Sequence, residues 1–166
     1  MNDIVNPYIA GAPVTETRMF FGREDIFDWI RDSLTGQYAD HILVVHGQRR
    51  VGKTSVLKQL PSRLPERYIP VFFDLQGRTH TSLDRFLWWL AREIVRALKQ
   101  ERGIDVPAPE QAAFSDPEYL ETQFLPNLEP HLANHTLLLT IDEFDTLEEP
   151  GVKQTLARPL IDYLHR

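Results

Sequence analysis

The run HILVVHGQRRVGKTSVLKQL, from His41 to Leu60, limits what this chain can fold into more than any other stretch. Its first part, Ile42 to Val45, is short, apolar and rich in β-branched residues, and reads as a buried strand. From Lys53 to Leu64 the pattern is helical and closes near Pro65. Between the two lies a loop bounded by Gly47 and Gly52 and followed directly by Lys53 and Thr54. Glycines let the backbone turn with its N–H groups facing inward and leave no Cβ in the way. The helix that follows presents free N–H groups and a partial positive charge. Such a turn attracts an anion.

The spacing Gly47-x-x-x-x-Gly52-Lys53-Thr54 is the P-loop (Walker A) pattern, which holds the phosphates of a nucleotide. The candidate cradle comprises Gly47, Gln48, Arg49, Arg50, Val51, Gly52, Lys53, Thr54 and Ser55. Lys53 supplies a mobile positive charge for the β- and γ-phosphates, and the Thr54 hydroxyl can ligate Mg²⁺. Either Arg49 or Arg50 could touch phosphate, although solvation is the commoner fate of such side chains.

A second stretch, HTLLLTIDEFD from His135 to Asp145, supplies the other half of the chemistry. Thr136 to Ile141 is the most apolar strand candidate and runs into two adjacent carboxylates. Asp142 suits the metal position at a strand tip (Walker B), acting through bound water. Glu143 would then point toward the γ-phosphate, to orient and deprotonate the attacking water. Asp145 reads as a cap or a solvated turn residue. The expected cofactors are ATP or ADP with Mg²⁺.

Helical spacing also begins after Gly22, with Ile26, Phe27, Ile30 and Leu34 on one face and Gly36 as a stop. Residues 1 to 20 read as an extended arm. Tyr68 to Leu75 reads as a strand whose Pro70 belongs at an end or edge. Leu83, Phe86, Leu87, Leu90, Ile94 and Leu98 mark a long amphipathic helix from Ser82 to about Arg102, followed by a loop over 103–117. Residues 118 to 132 are helical but should be broken or kinked at Pro126 and Pro130, and a last helix starts near Val152. Strands alternating with helices predict an α/β layer fold with a mainly parallel sheet flanked by helices.

Composition narrows the class. The chain has 166 residues, 42% of them apolar, enough for one domain with one core. Eighteen basic residues against 24 acidic give a net charge of −6, so net charge does not indicate nucleic acid, although a local basic patch is compatible with it. No cysteine is present, which excludes disulfides and thiolate metal sites. No signal peptide or membrane segment is seen, and a cytoplasmic location is expected.

Upstream, MFFGRED from Met19 to Asp25 completes a pattern that resembles the AAA+ and STAND classes of P-loop ATPase. The fuller series NPYIAGAPV…FFGRED…GQRRVGKTS…PVFFDLQG…LLLTIDEFD is similar to bacterial STAND-type ATPases across nearly the whole chain from Asn6. The resemblance implies that Phe21, Gly22 and Arg23 line the adenine side of the pocket. It divides the chain into an arm, 1–24, and a P-loop core, 25–166. An alternative makes Phe20 and Phe21 core anchors. The resemblance also implies a sensor strand, an arginine finger and a helical lid. None is visible before the chain stops in the helix after the DE strand, and Arg158 is an arginine-finger candidate by chemistry alone. The expectation is therefore an incomplete P-loop fold, an N-terminal piece of a longer protein whose further domains or other subunits are partners.

The function this implies is Mg-dependent ATP hydrolysis driving a conformational switch. Two alternatives stand beside it: a scaffold that retains nucleotide with little turnover, and a small P-loop kinase. His131 and His135 lack the glutamate and third ligand of a zinc helix and read as a surface pair. Trp88 and Trp89 read as core and partly exposed cover, Asp74 as structural, and the Arg78–His80 loop as a possible contact with nucleotide or partner.

Overall fold

The computed structural model describes residue 13 and residues 20–35, 43–48 and 50–164. The expected arm, apart from Pro13 and Phe20, lies outside the described residues, as do Gly36, Ile42 and Arg49. The chain divides into two compact units, Met1–Pro65 and Glu66–Arg166.

The first unit contains two helices. Helix α1, Glu24–Thr35, opens with Glu24 and Asp25, acids that suit the positive end of the helix dipole. It buries Phe27, Ile30 and Leu34, the face that the three-and-four spacing predicts. Helix α2, Lys53–Arg63, buries Ser55, Val56, Gln59 and Leu60. The strand expected over Ile42 to Val45 is not formed in its described part. Residues 43–48 have no regular structure, and Val44 is 73% exposed. A β-branched run becomes a strand only with a neighbour to pair with, and the described residues of this unit contain no other strand.

The second unit is a parallel β–α–β arrangement. Strand β1, Tyr68–Asp74, pairs in parallel with strand β2, Thr136–Asp142, in a register that sets Tyr68 beside Thr136 and Asp74 beside Asp142. Pro70 falls within β1, which has a free edge in this two-stranded sheet, so its missing N–H breaks no ladder bond there. The buried Thr140 hydroxyl is satisfied by donating to the Val71 carbonyl at 3.1 Å.

Helix α3, Leu83–Arg102, packs its apolar face on β1. Phe73 of the strand and Phe86 of the helix meet edge to face at 5.1 Å, both wholly or almost wholly buried. The Arg102 guanidinium donates to the carbonyls of Glu66 (2.6 Å) and Tyr68 (2.9 Å), tying the end of α3 to the start of β1. Beyond α3 a short 3₁₀ turn, Gln111–Ser115, places Phe114 in the core against Tyr119 and Phe124.

The expected break at Pro126 takes a specific form. Residues Leu120–Phe124 make one wide π-type turn, with the Leu125 N–H donating to the Leu120 carbonyl, before helix α4, Leu125–Leu132. Proline lacks a donor and crowds the carbonyl four residues back, and widening the preceding turn accommodates both effects. Pro130 lies within α4 without ending it. A second π-type turn, Lys153–Ala157, leads into helix α5, Arg158–Leu164. No helix among the described residues is long and apolar enough to cross a membrane.

Helix α3 ends in a Schellman arrangement. Gly103, at φ 66, donates to the Lys99 carbonyl at 3.0 Å and Ile104 to that of Leu98 at 3.2 Å. A Cβ there would meet no atom within 4 Å, so the demand is purely conformational. Gly103→Ala should therefore destabilise the protein by about 1 kcal/mol, read from the urea midpoint at unchanged slope.

Candidate functional site

Two described residues of the glycine loop take left-handed conformations. Gly52 caps α2 at φ 93, a left-handed conformation that costs glycine little, and Arg50 is also left-handed at φ 65. Left-handed residues spaced this way bring backbone N–H groups toward one side of the turn. Gly52, the cap residue, has no side chain to offer, and no acid lies in the first turn of α2. No carboxylate in that turn repels an anion drawn to the positive end of the helix.

At the other end of the loop, a Cβ on Gly47 would lie 3.0 Å from Val51 Cγ2 and 4.0 Å from Lys53 Cδ. A side chain there would press on Val51, which would have to shift by a few tenths of an ångström. Lys53 Nζ donates to the carbonyls of Gly47 (3.0 Å) and Gln48 (3.2 Å), drawing the first residue of α2 back over the loop. Thr54 is half-buried, Ser55 is buried, and Gln48, Arg50 and Val51 are exposed.

The GRE segment is tied to this loop. Gly22 and Arg23 are both left-handed, at φ 78 and 64, and Arg23 accepts the first turn of α1 through its carbonyl. The Arg23 guanidinium donates to the Val51 carbonyl at 2.9 Å. Glu24 receives both its hydrogen bonds from Arg63 Nη1, each at 3.0 Å, and the Arg63 guanidinium lies 5.3 Å over the Phe27 ring. Phe20 packs edge-on against Phe27 at 5.7 Å, as an anchor would, whereas Phe21 is 86% exposed. The motif therefore links the turn before α1 both to the loop and to the end of α2. That link spans 28 residues, and no local spacing announced it.

In the second unit the DE pair ends β2. Asp142 is 7% exposed, and its Oδ1 accepts the Glu143 N–H at 3.0 Å. Glu143 is left-handed at φ 55 with an exposed side chain, and its carbonyl accepts both the N–H (3.0 Å) and the hydroxyl (2.6 Å) of Thr146. Asp145 is exposed in the turn that follows. Asp74, read from sequence as structural, does accept the Gln76 N–H at 2.8 Å, but register also sets it beside Asp142. Its signal was an apolar strand ending in an acid, as in LLLTID.

Other candidates separate. Arg78 pairs with Glu93 at 3.2 Å and lies 5.0 Å over Phe73. His80 lines an open depression of about 400 Å³ with Thr81, Ser82, Gly151 and Thr155. His135 Nδ1 lies 3.0 Å from the Leu132 carbonyl, and Arg158 is exposed at the start of α5.

Thr54 and Asp142, each taken by itself, offer the kind of hard oxygen that Mg²⁺ accepts. Among the described residues no group of three or more His, Cys, Asp or Glu could hold a metal ion. Mg²⁺ keeps several waters and binds through one or two protein oxygens plus phosphate, and a hydroxyl and a carboxylate are the hard oxygens it takes.

A left-handed glycine at the start of a helix is the turn that phosphate-binding loops use, and the second unit, taken by itself, is a parallel β–α–β arrangement. The comparison with known families is narrower: the model of the AAA domain matches residues 36–164, and the chain belongs to that family. No curated protein and no solved structure matched the chain. It is thus an AAA-type P-loop domain, a class whose general property is nucleotide binding.

The strain at Glu143 is measurable without nucleotide. Glu143→Gly should raise stability by about 1 kcal/mol in urea unfolding by relieving a left-handed side-chain position, whereas Glu143→Gln should leave it unchanged.

Proposed function

We propose that this domain binds ATP with Mg²⁺, hydrolyses it, and uses the nucleotide state to drive a conformational switch within a larger AAA+/STAND-type protein. The observation that carries the reading is the loop itself: Gly52 is left-handed at the start of α2, no acid lies in the first turn of that helix, and Lys53 Nζ folds back onto the carbonyls of Gly47 and Gln48. On this reading the amides of 47–55 hold the phosphates and Lys53 leaves its carbonyl partners to neutralise them. Thr54 and Asp142 ligate the ion, which polarises the γ-phosphate when bound. Glu143, exposed and held by its own backbone bonds, orients and deprotonates water. Phe21, Gly22 and Arg23 serve the adenine side. The exposed Phe21 is available for a base, and the Arg23 bond to Val51 couples that side to the phosphate loop.

The STAND assignment and the place in a larger protein rest on the resemblance of the FFGRED segment. They are also supported by β2, which has a neighbour on one side only among the described residues and leaves Leu139 42% exposed. An apolar strand edge of that kind calls for cover. The family match favours this reading over a small P-loop kinase.

Calorimetry with Mg-ATP and Mg-ADP should give micromolar binding that Lys53→Ala weakens by at least about tenfold, the loss of one charge-assisted contact to phosphate. Absence of binding by the folded chain would sink the reading. Phosphate release then separates a turning-over ATPase from a nucleotide-retaining scaffold: Glu143→Gln should lower the rate by about 10²-fold or more while leaving binding intact.

A further inference from the structure

The exposed face of α3 carries one sign of charge. Five of its residues are exposed: Arg85, Arg92, Arg96, Lys99 and Gln100. The three acids of the helix, Asp84, Glu93 and Glu101, are all partly buried. Spacings of seven, four and three place the four cations in one row on a single face. The row is about 21 Å long, a length close to six base pairs of duplex. An ordinary solvated helix face interleaves Glu and Lys four apart. This one does not.

The row is also pre-shaped. The Arg85 guanidinium lies 5.0 Å over the Trp89 ring and that of Arg92 5.0 Å over Trp88, and both rings are half-buried against the core. Trp88 is fixed in turn by donating from Nε1 to the Pro109 carbonyl at 3.0 Å. A guanidinium held over an indole loses less freedom when its donors engage an oxyanion. Partial neutralisation is local: Glu93 pairs with Arg96 (2.9 Å) and Arg78 (3.2 Å), and Asp105 with Lys99 (3.1 Å). Arg85 and Arg92 have no ion-pair partner among the described residues.

We propose that this arginine–tryptophan face of α3 docks the phosphodiester backbone of duplex nucleic acid. Three planar forks and one ammonium in a row suit the phosphates of a duplex, which accept arginine bidentately, and they make sequence-independent contacts. The net charge of −6 conceals the row, because that figure averages it with acids elsewhere in the chain.

The test is fluorescence anisotropy of a labelled 20-base-pair DNA duplex with the whole chain between 50 and 200 mM salt. Four engaged cations predict a slope of about −3.6 in log affinity against log salt, roughly a hundredfold loss across that range. Arg92→Gln with Arg96→Gln should halve the slope to about −1.8 and weaken binding more than tenfold at 50 mM. Arg85→Gln with Lys99→Gln is the independent pair and should act alike, and a circular-dichroism melt confirms that each variant is folded. The inference is overturned if the duplex does not bind at 50 mM salt, or if neither folded variant changes the slope. It is also overturned if a polyglutamate peptide binds through these residues and the duplex does not.

Discussion

Two strands that run the same way, with Asp74 beside Asp142, set what this domain can do. Parallel pairing sends both C-termini to one edge, and the return from β1 to β2 has to be made through helices. Helix α3 makes most of that return and buries its apolar face on β1, with the Phe73–Phe86 contact at the centre and Arg102 fastening its end to the start of the strand. Loops at the carboxyl edge of such a sheet are where α/β proteins place their chemistry. Here that edge carries the buried Asp142 and the exposed Glu143.

Backbone strain falls mainly within the sequence motifs. Among the described residues, four non-glycine residues have positive φ: Arg23, Arg50, Ala133 and Glu143. Three of them fall in the GRE turn, the glycine loop and the DE corner. Each conformation costs about 1 kcal/mol or more and persists only where neighbours over-determine it. The neighbours are identifiable. Glu143 is held by Asp142 and Thr146, and Arg23 by the first turn of α1 and by Val51. The opposite side of the second unit, the outer face of α3, is unstrained and regular, and its features come from charge placement instead.

What could be read from the sequence followed the range of the forces involved. Helices α1, α2 and α3 were legible to within about a residue, because three-and-four spacing and glycine caps are local properties. The P-loop and the DE pair were legible because each is a short string with a physical reason at every position. The strand over Ile42 to Val45 was not: its composition is that of a strand, but a strand also needs a partner, which composition cannot supply. The wide turn at Leu120–Phe124 was foreseen only as damage from Pro126, since proline dictates that a helix must adjust and not how. The Arg23–Val51 bond is tertiary and had no local signature. The row on α3 was present in LDRFLWWLAREIVRALKQER all along, and its meaning waited on knowing which residues the fold leaves exposed.

The proposal that one nucleotide is served by both the glycine loop and the DE corner is tested most directly by hydrogen exchange read by mass spectrometry. Mg-ATP should slow exchange in peptides covering 47–55 and 142–146, and the Lys53→Ala variant should show neither effect. Protection confined to either segment, or absent from both at saturating nucleotide, would contradict the account.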